Sequence, residues 1–166
     1  GRSPLAAFLH AKRVHLDPTL SAAAAAAARI EFLTRSAEAG FARAMVDLGM
    51  AYKRGGEGVA RDVRQAARWW RRANTTADHA MARYNYGSLL LESADELAAH
   101  DELTEAERAD PQAAAVRMFF AAVEGGGAAI ASSPGHRLAY YNLGVAHARG
   151  RSVPRNDELA ATYFGL

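Results

Sequence analysis

The stretch Leu48 to Trp70, LGMAYKRGGEGVARDVRQAARWW, decides the fold. It reads as the end of one helix, a tight turn (Gly55-Gly56-Glu57-Gly58-Val59) and the start of a second helix. Three glycines in five residues let the chain take left-handed backbone conformations that other residues avoid. The flanking segments are rich in Ala, Leu and Arg, which lose little on entering a helix.

The pattern returns. Ala44-x-x-x-Leu48-Gly49-x-x-Tyr52 recurs as Ala82-x-x-x-Tyr86-Gly87-x-x-Leu90 and as Ala139-x-x-x-Leu143-Gly144-x-x-His147. A small or apolar residue at every fourth position marks one helical face. The second half recurs as well. Gly58-Val59-x-x-Asp62-x-x-x-Ala66-x-x-Trp69-Trp70 matches Ser152-Val153-x-x-Asn156-x-x-x-Ala160-x-x-Tyr163-Phe164. A looser copy starts at Asp110-Pro111 and runs through Ala115, Met118, Phe119 and Ala122. Self-similarity on this scale predicts stacked helical units.

Glycine inside a helix costs about 1 kcal/mol relative to alanine. Its return at Gly49, Gly87 and Gly144 predicts close helix–helix contacts, with Trp69, Trp70, Phe119, Phe120, Tyr163 and Phe164 supplying the bulk packed against the gaps. Helix starts are expected at Asp17-Pro18 and Asp110-Pro111, where an N-cap acceptor precedes a first-turn proline. Ser93-x-x-Glu96 and Thr104-x-x-Glu107 fit the capping-box pattern. Gly125-Gly126-Gly127 reads as a helix terminus.

The motif A-x-x-x-LG-x-x-Y, G-x-GV, D-x-x-x-A-x-x-WW resembles a Sel-one-like repeat, a relative of the tetratricopeptide repeat. The resemblance is close over 37–74, fair over 136–164 and weak between. It implies an all-α fold, an α/α solenoid of antiparallel helix pairs wound into a superhelix. Approximate units are 5–40, 41–77, 78–127 with an acidic insertion at 92–110, and 136–166. The first and last units are incomplete, so the chain is expected to be part of a longer protein.

Composition bounds the function. Half of the 166 residues are apolar and none is cysteine, which excludes disulfides and thiolate metal sites and fits a reducing compartment. No apolar run approaches the ~20 residues that a membrane span needs, so this segment should not insert in a membrane. The net charge of +2 hides an asymmetry: residues 92–110 hold eight acids against Arg108, whereas the rest of the chain holds 19 basic and 10 acidic residues. The acidic segment can be a partner surface, a disordered loop or a strap over the chain's own basic helices.

No catalytic constellation emerges. The six histidines show no helical metal-ligand spacing, and no nucleophile elbow or phosphate-binding loop is present. A non-enzyme without metal or cofactor is expected. Asn74-Thr75-Thr76 is a glycosylation sequon, too common by chance to place the protein in a secretory compartment. Two sets of residues are candidates for binding. Asp47, Asn85 and Asn142 hold the same place in three units, and Tyr84 corresponds to Tyr141. On first helices lining a concave groove, such side chains could hold a peptide backbone; alternatively they bond between neighbouring helices. Arg61, Arg64, Arg68, Arg71 and Arg72 form the densest basic patch, either a solvated face or a phosphate-binding one. The reading is a scaffold or adaptor with protein partners in a multi-subunit complex. The alternative is an RNA-contacting subunit of a ribonucleoprotein such as an organellar ribosome, weakened by the absence of aromatic residues exposed between the arginines if Trp69 and Trp70 are core.

Overall fold

The computed structural model describes residues 3–56, 58–76, 79–124 and 134–165. Nine α-helices and one 3-10 turn account for their regular structure, apart from an isolated bridge between Gly56 and Val59. The chain divides into two compact units, 1–77 and 78–166.

The first unit holds α1 (Pro4–Arg13), the 3-10 turn Val14–Leu16, α2 (Ala22–Glu38), α3 (Ala42–Arg54) and α4 (Val63–Thr76). Helix α1 packs on α2, α2 on α3 and α3 on α4, so consecutive helices form stacked pairs. Proline opens α1, where its missing N–H costs nothing. Ser36 donates its hydroxyl to the Pro4 carbonyl at 2.7 Å and ties the far end of α2 to the start of α1. The Asp17-Pro18 pair does not start a helix. The Asp17 carboxylate accepts bonds from the Thr19 hydroxyl (2.6 Å) and amide (2.9 Å), closing a turn, and α2 begins later with Ser21 as its N-cap. Asp-Pro signals either structure; here Ser21, directly before the alanine run, is the better-placed cap.

The glycine turn does what its composition requires. Gly55 and Gly58 have φ of +71° and +91°. A Cβ on Gly58 would lie 3.3 Å from the Ala27 backbone nitrogen, so the turn also lets α2 pass close by. The Asp62 amide then donates to the Tyr52 carbonyl at 2.8 Å, and the Asp62 carboxylate caps α4 by accepting from the Arg64 and Gln65 amides.

The second unit holds α5 (Ala80–Ala99), α6 (Glu105–Ala109), α7 (Pro111–Glu124), α8 (Pro134–Arg149) and α9 (Asp157–Gly165). Here α5 pairs with α7 and α8 with α9, while α8 also packs on both α5 and α7. Asp110 caps α7 by accepting from the Ala113 amide at 2.8 Å, and Pro111 is its first residue. The second turn repeats the first with different residues. The Asn156 amide donates to the His147 carbonyl, and its side chain accepts from the Leu159 amide. Ser152, where the first turn has Gly58, keeps a positive φ of +56°.

The acidic insertion is helical. Helix α5 runs through Leu91 to Ala99 with a kink at Ser93, whose φ and ψ of −140° and 25° leave the helical region. At α6 the capping box forms: Thr104 accepts from the Glu107 amide, and the Glu107 carboxylate accepts from the Thr104 amide at 2.8 Å. Its other oxygen accepts from the Tyr86 hydroxyl at 2.8 Å, so α6 is fastened to α5 as well as packed on α7. Gly125-Gly126-Gly127 lies outside the described residues.

One aromatic per pair fills each glycine gap. Trp70 lies over Gly49, Phe119 over Gly87 and Phe164 over Gly144, with a built Cβ coming within 2.5, 2.9 and 2.6 Å of them. Trp70 and Phe119 are buried, but Phe164 is 49% exposed. The neighbours of these aromatics take other roles. Phe120 and Tyr163 flank His147, and Trp69 lies half-buried outside the core.

Candidate functional site

The first helices of the pairs carry the candidate groove residues, and they fall in different surroundings. In the first unit Asp47 on α3 is ion-paired with Lys12 of α1, Oδ2 to Nζ 2.5 Å, and its side chain keeps 21% exposure. That pair joins helices two apart in sequence and was not legible from either residue alone. In the second unit Tyr84 on α5 is half-buried, its ring 6.0 Å from that of Phe119. Tyr141 on α8 stands in the same relation to Phe164, at 5.7 Å, yet is 60% exposed. Helix α5 has both α7 and α8 packed on it.

Asn85 is 4% exposed, with its Nδ2 buried and making no hydrogen bond. Asn142, half-buried, donates to the Leu138 carbonyl one turn back in its own helix at 2.9 Å. Equivalent sequence positions thus give one buried amide and one amide at the surface.

The basic patch lies along α4. Arg64, Arg68 and Arg72 are exposed, Arg71 is half-buried, and Ala66 and Ala73 on the opposite side are buried. Arg61 precedes the helix and is exposed. Arg64 is held by Asp62 through both Nε and Nη2, at 3.3 Å each. Arg72 donates to the Glu38 carbonyl at 2.9 Å while its guanidinium stands 5.5 Å over the Trp69 ring. Trp69 is therefore a partly exposed aromatic among the arginines and not a core residue. Its position follows from helical spacing: it precedes buried Trp70 by 100° of rotation, which turns it to the edge of the basic face. Burial raises the Asp62 carboxyl pKa, but the Gln65 amide and the Arg64 side chain and amide outweigh it and hold it below the usual carboxylate value.

His147, standing where the first repeat has Tyr52, is buried between the rings of Tyr163 (5.6 Å, stacked) and Phe120 (6.3 Å, edge-on). Its Nδ1 lies 3.3 Å from the Pro154 carbonyl. It serves as an aromatic spacer. Among the described residues no group of three or more His, Cys, Asp or Glu could hold a metal, and no helix is long and apolar enough to cross a membrane. The sequon lies on the last turn of α4, where the Thr75 hydroxyl donates to the Arg72 carbonyl.

Stacked helix pairs, three of them closed by an aromatic over a helical glycine, define an α/α helical-repeat protein. Residues 42–74 and 137–166 match the Sel1 repeat family model. The chain carries Sel1 repeats in these two segments. Its fold is that of a Sel1 repeat protein from Oxalobacter formigenes, with TM-score 0.67 and 22% identity over 96% of this chain and 56% of that one. It is also that of a protective antigen of uropathogenic Escherichia coli with an SLR fold, with TM-score 0.71 and 23% identity over 97% of this chain and 29% of that one. The chain thus spans little more than half of one neighbour and under a third of the other, and these likenesses speak for the fold alone. No curated protein matches it. Sel1 repeats generally mediate protein–protein interaction and are generally non-catalytic.

Proposed function

We propose that this protein is a non-catalytic scaffold or adaptor subunit that binds protein segments along the first helices of its repeats. The observation that carries the reading is the exposed edge of α8, where Tyr141 (60% exposed) stands beside Asn142 and Leu138 (41% exposed). An aromatic ring, an amide and an apolar side chain on one surface suit a peptide, since the ring supplies apolar area at low entropic cost and the amide can bond a backbone. Tyr84 holds the position on α5 equivalent to Tyr141, next to buried Asn85, and Asp47 is the counterpart of Asn85 in the first unit.

The test is recovery of partners from native extract with the wild-type protein and with Tyr141→Ala/Asn142→Ala. Wild-type protein should retain stoichiometric protein partners after nuclease treatment, and the variant should lose them at unchanged helical content. Equal recovery by both would sink the groove.

A second reading, contact with RNA, is favoured by the partly exposed Trp69 beneath Arg72, because an aromatic among arginines offers a base a stacking surface. Charge reversal at Arg64, Arg68 and Arg72 should then abolish nucleic-acid binding and steepen no other defect. Protein association that survives this change, with no RNA bound by wild type, removes the second reading.

A further inference from the structure

A cavity of about 600 Å³ opens in the first unit between α1, the 3-10 turn and α2, away from the first-helix residues discussed above. Its origin is the alanine run. From Ala22 to Ala28 α2 carries no side chain beyond a methyl, so the angle between α1 and α2 stays unfilled. The first bulky side chain on that side is Phe32, which lines the cavity with its ring 5.4 Å from that of His10. Leu9, Val14, Leu20 and Ala28 complete an apolar wall. Leu9 is 50% exposed, Leu20 37% and the neighbouring Leu16 66%, a concentration of apolar surface that a folded domain usually covers.

The polar groups at the mouth are unequal. Asp17 is occupied: Thr19 donates to one carboxylate oxygen from both its amide and its hydroxyl. His10 is exposed and has its Nδ1 on the Ala6 carbonyl at 3.0 Å. Arg13 is exposed and forms no ion pair among the described residues. Neighbouring Lys12 points elsewhere, to Asp47. The cavity therefore presents apolar walls and one unspent cation. The unit around it is basic, with 13 Lys and Arg against 6 Asp and Glu in residues 1–77.

We propose that this cleft is a second docking site, which takes an acidic amphipathic segment of a partner protein. The segment's Leu or Phe side chains enter between α1 and α2, and a carboxylate beside them pairs with Arg13. The volume lies within the ~300–1,000 Å³ of ordinary ligand sites, enough for the side chains of one helical turn. A basic partner would meet Arg13 and the positive unit unfavourably, and a purely polar one would leave the leucines in water.

The probe is a fluorescein-labelled, twelve-residue helical peptide with Leu at positions i and i+4 and Glu at i+3 and i+7, titrated by anisotropy. Saturable binding is expected, weakened at least tenfold by Arg13→Glu and by Ala28→Trp, which fills the cleft. The peptide with Lys in place of Glu should prefer the Arg13→Glu variant. Arg13 is exposed and Ala28 half-buried in the cleft wall, and circular dichroism checks the fold. Binding that is absent, unchanged in both variants, or kept when the peptide's Leu residues become Ala overturns the proposal; the last would mean charge attraction alone. The protein has no cysteine, so Leu9→Cys provides a single thiol. Without peptide it should react with maleimide as fast as an exposed control and slow when peptide is added. Protection without peptide would show the cleft already covered by the chain itself or a second copy, and would equally overturn it. A groove variant such as Tyr141→Ala should leave peptide binding unchanged, which separates failure of this site from failure of the groove.

Discussion

Trp70 occupies the space that a side chain on Gly49 would need. A Cβ there would lie 2.5 Å from the indole Nε1, and that nitrogen donates to the Val46 carbonyl at 3.2 Å. The glycine, the ring and the carbonyl form one closed contact between α3 and α4, with Trp70 wholly buried. The same contact at the last pair is open, because Phe164 over Gly144 is half exposed.

The two glycines should therefore answer differently to alanine. Gly49→Ala gains about 1 kcal/mol of helix propensity but forces a buried ring to move, at a cost of roughly 1–3 kcal/mol and the Trp70 bond with it. Net destabilisation is expected. Gly144→Ala makes the same gain, while Phe164 can swing toward solvent, so its effect should be near zero or stabilising. Urea unfolding of the two variants decides; equal losses would mean that the ring over Gly144 is as fixed as Trp70.

The two turns make a reciprocal pair. Ser152 holds φ +56° where Gly58 holds +91°. A non-glycine residue in the left-handed region costs about 1–2 kcal/mol, part of which glycine returns through the entropy of the unfolded chain. Ser152→Gly should stabilise the protein by roughly 0.5 kcal/mol. Gly58→Ser should cost more than 1 kcal/mol, since it meets the same strain and also the Ala27 backbone at 3.3 Å. Thermal melts of both variants check the sign of each.

The repeat lattice was legible in the sequence because it is periodic: Gly49, Gly87 and Gly144 announce the gaps, and Trp70, Phe119 and Phe164 fill them. The candidate site was less so. Asn85 and Asn142 share a position, yet one is buried and the other is not, because exposure depends on the helices packed alongside and not on spacing. Trp69 and Trp70 looked alike as core residues, and a single step of helical rotation separates them. The cleft beside α1 is an absence of side chains, and the alanine run that creates it reads in sequence only as helix propensity. Asp17-Pro18 failed as a helix start because a turn signal and a cap signal are the same residues.

Asp62 should give the stability a defined acid limb. Its carboxyl pKa is lower in the folded protein than in the unfolded chain, with the bonds from Gln65 and Arg64 outweighing burial. A lowered folded pKa means that the unfolded state takes up the proton more readily. The contribution is thus complete above the unfolded value near 3.9 and disappears as pH falls through the folded one. Asp62→Asn keeps an oxygen for the α4 cap and removes the titration. Melting temperatures between pH 5 and pH 2.5 should fall less steeply in the variant, whereas parallel curves would show that the cap bond carries no charge dependence. Asp62→Ala should lose the cap at every pH, by about 1 kcal/mol.

Glu107 holds the acidic insertion in place by both carboxylate oxygens. One accepts from the Thr104 amide and hydroxyl, at 2.8 and 2.9 Å, and so starts α6; the other accepts from the Tyr86 hydroxyl on α5 at 2.8 Å. Bonds to a charged group contribute about 1.5–3 kcal/mol each when partly buried. Glu107→Gln can keep one acceptor but not both, because its amide nitrogen must face either Tyr86 or Thr104. Glu107→Ala removes both. Hydrogen exchange over residues 100–110 should accelerate modestly in the Gln variant and strongly in the Ala variant, with α8 and α9 unchanged. Global unfolding should shift by less than the local exchange does, since α6 is a single short turn packed on α5 and α7. Uniform acceleration throughout 79–165 would mean instead that α6 is part of the cooperative core, and that the insertion stabilises the repeat on which it sits.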